Sequence, residues 1–224
     1  VASDLLPVED ALARILEAFS PLAAEVVPVS EALGRVSADP ITARRTQPPM
    51  AVSAMDGYAV RAADVAAVPT RLRRVGSAPA GGGHAGTVGV GEAVRIFTGG
   101  PVPDGADCIV LQEDVDAASE EDGAEIVVRE GAAAGTFIRP AGLDFRTGDI
   151  GVPGGRRLTA RDVGLAAAMN VPWIKVRRRP RVAILSTGDE IVRPGELDEP
   201  TRIVSSNAYA LAAVVRAVGG EAID

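Results

Sequence analysis

Arg-Pro-Arg-Val-Ala-Ile-Leu-Ser-Thr-Gly-Asp-Glu, residues 179–190, decides the fold class of the C-terminal part. Arg181–Leu185 is a continuous aliphatic run, the pattern of a strand buried on both faces of a parallel sheet. Ser186–Glu190 then falls at the strand's carboxyl end, where open α/β sheets bind ligands. Two hydroxyls and a glycine suit a phosphate or another oxyanion, while Asp189 and Glu190 suit Mg²⁺. Further on, Ser206-Asn207 predicts the cap of a helix over 208–218, with Leu211, Val214, Val215 and Val218 on one side. Gly219-Gly220 closes it, and Glu221–Asp224 reads as the opening of a second strand. A sheet of one strand and a stub would leave an uncovered edge. The expectation is a part of a longer protein, ending inside a doubly wound α/β domain.

Upstream the texture differs. Thr159 with Asp162 three residues on predicts a capped helix through Met169, then a strand over 171–177. At the other end, Val8, Leu12, Ile15, Leu16 and Phe19 make one helical stripe, with Glu9 and Asp10 in the first turn. Val26–Val29 reads as a strand, Ser30–Gly34 as a capped turn, and 36–41 as extended with Pro40 at an edge. Between them, short apolar runs alternate with glycine-rich turns: 58–60, 71–75, 93–97, 108–111, 126–129 and 137–139. The acidic stretch 112–125 reads as a solvated hairpin tip and the Ala/Gly-rich 76–92 as a loop. The chain therefore divides into a β-rich unit (47–139) between flanking segments 1–46 and 140–176, and the start of an α/β domain (177–224). The fold class is mixed α+β and multidomain.

Composition narrows the chemistry. A chain of 224 residues has room for more than one core, and with 47% hydrophobic residues but only one Trp, two Tyr and four Phe that core is aliphatic. One cysteine, Cys108, rules out an internal disulfide and sits in an apolar run, so it reads as a buried strand thiol. One histidine, His84, cannot build a histidine zinc site, and in Gly81-Gly82-Gly83-His84 it reads as incidental in a mobile loop. A divalent ion would need carboxylate ligands. The net charge of −7 argues against nucleic acid as partner. No apolar stretch is long enough for a bilayer span and no signal peptide is visible, so a soluble, cytoplasmic protein is expected.

Three further clusters carry candidate chemistry. Asp56-Gly57 before a strand has turn chemistry, and on local grounds it is more often structural than functional. Thr98-Gly99-Gly100 ends a strand with a hydroxyl and permits close backbone approach. Its N–H groups suit an oxyanion, or it is a tight turn stiffened by Pro101 and Pro103. Arg139 and Asp144 flank a glycine turn, and their bland reading is a surface ion pair.

Taken in order, these segments resemble the molybdopterin molybdotransferases of the MoeA and gephyrin E-domain type. The residues that carry the resemblance are SAMDGYAVRAAD (53–64), RIFTGGPVPDGADCIVLQED (95–114), IRPAGLDFRTGD (138–149), RRPRVAILSTGDEIVRPGE (178–196) and SSNAYALAAVVRAVGGE (205–221). The chain departs from the family at Gly142-Leu143-Asp144, where relatives usually carry Gly-Glu-Asp.

The resemblance implies an elongated, discontinuous first domain (1–46 plus 140–176), an inserted β domain (47–139), and a Rossmann-like molybdopterin-binding domain that begins at 177–224, with a β-barrel after it. It implies molybdate insertion into adenylylated molybdopterin with Mg²⁺ and release of AMP, in a homodimer whose site joins two subunits. An adenylyltransferase would act upstream and molybdoenzymes downstream. Carried over position by position, Asp56, Thr98, Asp144 and Glu190 match catalytic residues. Asp56 and Glu190 are the expected metal ligands. Ser186, Thr187, Gly188 and Asp189 match the pterin-phosphate loop, and Ser206 and Asn207 the next helix start. Arg61, Arg95 and Arg139 lie within these motifs as the local positive charge that an anion requires. The resemblance also leaves open a non-catalytic oligomerising scaffold of the gephyrin branch, or a tungsten-inserting relative.

Overall fold

The computed structural model describes residues 6–196 and 200–223. The leading segment carries α1 (Val8–Glu17), β1 (Ala24–Pro28) and β2 (Ile41–Thr42). Then come β3 (Val52–Ser53), β4 (Gly57–Val60), β5 (Thr70–Ala78), β6 (Glu92–Ile96), β7 (Cys108–Leu111), β8 (Val115–Ala117), β9 (Glu125–Val128) and β10 (Ile138–Arg139). The chain returns through β11 (Ile150–Val152), α2 (Ala160–Ala168) and β12 (Trp173–Arg177). It closes with β13 (Arg181–Ala183), β14 (Ile191–Val192), β15 (Ile203–Val204), α3 (Asn207–Ala217) and β16 (Glu221–Ile223).

Two compact units result: Ala43–Asp149, and a second built from the segments on either side. The insert is wider than 47–139 because its entry and exit bond to each other. Ala43 N–H donates to Asp149 O (2.9 Å), Gly148 N–H to Ala43 O (2.9 Å), and Gln47 pairs with Phe145. Residues 142–149 bond back onto 43–48, and the segment after Asp149 is part of the second unit.

Within the insert, six strands form one sheet in the order β7-β4-β6-β5-β9-β8. Every neighbouring pair is antiparallel except β5 with β6. Side chains alternate across a strand, so each strand divides its apolar residues between two cores. Tyr58, Val60, Ala93, Cys108 and Val110 enter one, together with Leu72, Ile126 and Val128. Ala59, Val94, Ile96 and Ile109 enter the other, together with Ala78 and Val88. The stretch 112–125 is more structured than a solvated tip. Val115–Ala117 pairs with Ile126–Val128, and Val115 is buried. Cys108 is fully buried, its thiol pushed up to about 11 by desolvation and by neighbouring Asp107.

In the second unit β1 pairs antiparallel with β12, Ala24 opposite Arg177 and Pro28 opposite Trp173, and β2 pairs with β11. Ile41, Val152, Leu158, Ala166, Met169, Ile174 and Val176 make the core. The expected cap on α2 is a full capping box. Thr159 Oγ1 accepts from Asp162 N–H (3.3 Å) and Asp162 Oδ2 from Thr159 N–H (2.8 Å). Helix α1 buries none of its stripe, and Val8, Leu12, Ile15, Leu16 and Phe19 are all exposed.

The C-terminal part departs from expectation. β13 and β16 are parallel, as a βαβ start requires, and β14 pairs in parallel with β15. The run 181–185 is not buried on both faces, however. Its strand ends at Ala183, and Leu185 is 85% exposed. Among the described residues β13 has one strand neighbour, so its other edge and much of its surface meet solvent. Ser206 precedes α3 without a side-chain cap because its backbone is already helical (φ −97°, ψ −34°). This part holds two parallel strand pairs, β13 with β16 and β14 with β15, and one helix.

Replacing Thr159 by Ala removes the N-cap acceptor of α2. An expected loss of about 1 kcal/mol, read from denaturant unfolding with an unchanged slope, checks the capping box.

Candidate functional site

Three of the quoted segments meet at one short strand. Ser53 N–H donates to Gly100 O (2.9 Å), Gly99 N–H to Ser53 O (2.9 Å), and Val102 N–H to Ala51 O (3.0 Å). On its other side β3 pairs with β10, Val52 opposite Arg139 and Ser53 opposite Ile138. Asp56 and Thr98 are therefore brought together although 42 residues separate them, and Arg139 lies along the other edge of the same strand.

The turn leaving β3 is closed by Ser53, whose buried hydroxyl donates to Met55 O (2.6 Å). It presents Asp56, and Asp56 Oδ1 accepts from both Thr98 N–H and Thr98 Oγ1, each at 2.7 Å. The Thr98 N–H, then its hydroxyl, hold the carboxyl below its ordinary value. Arg95 adds a smaller pull in the same direction, and partial desolvation opposes it. Asp56 Oδ2 has no hydrogen-bond donor among the described residues.

This arrangement changes the reading of Thr98-Gly99-Gly100. As an oxyanion turn it needs free N–H groups. Here Thr98 N–H goes to Asp56, Gly99 N–H to Ser53 O and Gly100 N–H to Phe97 O (2.7 Å). The turn already holds an anion, the Asp56 carboxylate. Its product is an ionised, oriented carboxylate on an exposed residue, whose second oxygen accepts no hydrogen bond among the described residues and so suits a cation.

Arg95, noted in sequence only as local charge, braces this corner. Its guanidinium lies 4.6 Å from the centre of the Phe97 ring and 5.3 Å from that of Tyr58. It also donates to Gly57 O (2.8 Å) and to Gln112 Oε1 (2.5 Å). Gln112 was not singled out, because nothing local marks it. Arg61 pairs with Asp64 (3.8 Å). Arg139 donates to Asp144 Oδ1 (2.6 Å), so the ion pair read from sequence is formed. No hydrogen bond joins Asp144 to Asp56 or Thr98.

Gly57 is required for a steric reason. A Cβ there would lie 2.0 Å from Val110 O, inside the β4–β7 ladder. The Asp-Gly pair thus joins a presented carboxylate to a close strand approach.

In the other unit, Ser186 and Gly188 line a cleft of about 440 Å³ with Arg193, Ser205 and Tyr209. Thr187, Asp189, Glu190, Ser206 and Asn207 are not among its lining residues. Gly188 has φ +139°, and a Cβ on it would come 2.6 Å from both Glu190 carboxyl oxygens. Glycine therefore lets the Glu190 side chain fold over the loop. Asp189 O accepts from Arg202. The first turn of α3 borders the cleft, which with Arg193 favours an anionic group. Arg193, Ser205 and Tyr209 were missed because only folding gathers them here.

Among the described residues no three His, Cys, Asp or Glu side chains cluster to hold a metal. Asp56 and Glu190 each offer one carboxylate, which falls short of a self-sufficient Mg²⁺ cage within either unit.

The family described as "MoeA N-terminal region (domain I and II)" matches residues 6–170. A molybdopterin molybdenumtransferase of Nostoc sp. is 39% identical over 203 residues, covering 89% of this chain and 46% of the relative. Molybdopterin molybdenumtransferase 2 of Mycobacterium tuberculosis is 35% identical over 216 residues, covering 95% and 52% respectively. Two solved structures of the molybdopterin biosynthesis MoeA protein from Pyrococcus horikoshii superpose with TM-scores of 0.82 and 0.88, at 36% and 31% identity. They cover 98% of this chain, which in turn covers 56% and 59% of theirs. The chain spans about half the length of the curated relatives it matches.

Two outcomes test the corner. Because the Asp56 pKa is depressed on folding, its stabilisation is present above the ordinary value of 3.8 and is lost as pH falls through the folded value. Thr98→Val raises the Asp56 pKa in a carboxyl ¹³C titration, and the stability gap to wild type at neutral pH closes in acid. Gly57→Ala forces the β4–β7 ladder apart. It is expected to cost at least about 3 kcal/mol by the large-effect mechanisms of buried strain, read as loss of cooperative unfolding of the insert.

Proposed function

This chain belongs to the MoeA family, whose N-terminal region (domains I and II) it contains, and on that premise we propose that it works as a molybdopterin molybdenumtransferase in molybdenum cofactor biosynthesis. The observation that carries the proposal is the Asp56 carboxylate, held ionised by Thr98, its second oxygen accepting no hydrogen bond among the described residues. The reaction is transfer of molybdate to adenylylated molybdopterin with release of AMP.

Each proposed residue has a chemical task. Opening a phosphoric anhydride requires charge to be neutralised on its oxygens and a proton to be managed on the attacking oxygen. Asp56 suits the first task through Oδ2, as a cation ligand. Thr98 acts through Asp56, keeping it ionised and aimed. Asp144 acts with Arg139, whose guanidinium it orients for an anion. Ser186, Thr187, Gly188, Asp189, Ser206 and Asn207 are the proposed pterin-phosphate group. Of these, Ser186 and Gly188 have support from their cleft, and α3 adds its N-terminal dipole. Glu190 completes the proposed catalytic set, and Asp56 and Glu190 are each proposed as carboxylate ligands for Mg²⁺.

The same reading carries a Rossmann-like continuation of the β13–α3–β16 start, a homodimer, an adenylyltransferase upstream, molybdoenzymes downstream and a cytoplasmic site of action. No helix among the described residues is long and apolar enough to cross a membrane.

The test uses the full-length protein with adenylylated molybdopterin, following molybdate-dependent AMP release. Asp56→Ala and Glu190→Ala are each expected to lower turnover about a hundredfold, the scale for losing a charged transition-state contact. Turnover at the wild-type rate in both variants would remove the residue assignment.

A further inference from the structure

By composition His84 reads as incidental, yet the structure gives its ring a seat. β5 and β6 are parallel neighbours, so their connection must travel back along the sheet. Residues 79–91 make that crossover. Its second half is anchored by Val88, which is 2% exposed in the core with Ala78, Val94 and Ile96. Val88 N–H also donates to Asp104 O (2.7 Å).

The middle of the crossover is anchored by His84. A Cβ on Gly76 would stand 2.4 Å from His84 Nδ1, and one on Gly86 would stand 2.6 Å from Nε2. The ring thus occupies space that two glycines leave open, one of them at the β5 irregularity between Arg74 and Gly76.

The end of β5 and, through Ala80, the front of the crossover meet the candidate site. Phe97 N–H donates to Ala78 O (3.4 Å), and a Cβ on Gly100 would lie 2.4 Å from that same oxygen. Ala80 Cβ is 3.9 Å from where a Gly99 Cβ would be. Residues 78–80 therefore wall the turn whose Thr98 grips Asp56.

We propose that His84 is a positioning residue: seated between Gly76 and Gly86, it holds the crossover against Thr98–Gly100 and so steadies the Asp56 carboxylate for the reaction. Its consequence for turnover rests on the functional reading above, and its effect on the turn does not. The crossover is a glycine-rich segment with a large entropy of its own. Pinning its middle lowers the cost of keeping the wall in place, which is preorganisation of the reacting group.

Three variants of the full-length protein test this. His84→Ala removes the ring, Gly76→Ala fills its seat while keeping the histidine, and His84→Phe restores a planar ring. In the first two, amide hydrogen exchange at Thr98, Gly99 and Gly100 is expected to quicken about tenfold by local opening, with the β4 and β7 amides unchanged. Turnover in molybdate-dependent AMP release falls about tenfold with KM within twofold, the pattern of a lost transition-state interaction. His84→Phe returns both readouts towards wild type.

Wild-type exchange at 98–100 in both alanine variants overturns the proposal and leaves the functional reading untouched. So does His84→Phe behaving like His84→Ala. If exchange quickens but turnover holds while Asp56→Ala is inactive, the positioning role in the reaction is overturned. If Asp56→Ala itself turns over normally, the functional reading fails, and the exchange result alone decides whether His84 holds the turn.

Discussion

The segment Ala51–Ser53 bonds along both of its edges, to Gly99, Gly100 and Val102 on one side and to Ile138 and Arg139 on the other. Backbone N–H and C=O groups buried at such a place must find partners, and here they find them in stretches far away in sequence. That constraint brings the three motif-bearing segments of the insert together. With Ser53 fixed, the turn to Asp56 has one direction to take, and Thr98 lies where its N–H and hydroxyl both reach the carboxylate. The local chemistry follows from strand pairing.

The sheet behind this corner is buried on both faces. Strict alternation in β4 and β7 sends Tyr58, Val60, Cys108 and Val110 one way and Ala59 and Ile109 the other. A surface turn mounted on such a sheet inherits its rigidity, because shifting one strand by a residue would exchange the two apolar sets. The Arg95 guanidinium extends that rigidity to the surface by stacking on Phe97 and Tyr58 while bonding to Gly57 O and Gln112. A single parallel pair, β5 with β6, forces the long crossover that walls the turn from outside.

The α/β start presents a contrast. It offers hydroxyls, a cleft and a helix N-terminus, yet its strand β13 has one strand neighbour among the described residues, and Leu211, Val214 and Val218 of α3 are exposed. Helix α1 likewise shows its whole stripe to solvent. These apolar surfaces are not covered within the described residues, whereas the insert closes both of its cores on itself.

Sequence alone determined those features governed by local rules. Short apolar runs between glycine-rich turns placed β4, β6, β7 and β9 within a residue and the start of β5, which runs three residues past its expected end; Thr159 and Asp162 announced their capping box, and Cys108 its burial. The ordered motifs marked Asp56, Thr98, Arg139 and Asp144 as candidates. Tertiary structure decided what depends on distant pairing. It showed that Asp56 occupies the donors of Thr98, that residues 142–149 bond back onto 43–48, and that 181–185 is largely exposed. It also gave the lone histidine a fixed seat between Gly76 and Gly86. The physical reason is common to all of these. A residue's secondary structure follows from its near neighbours, but the partner of an N–H, a carboxylate or a ring is set by which remote backbone the sheet brings alongside.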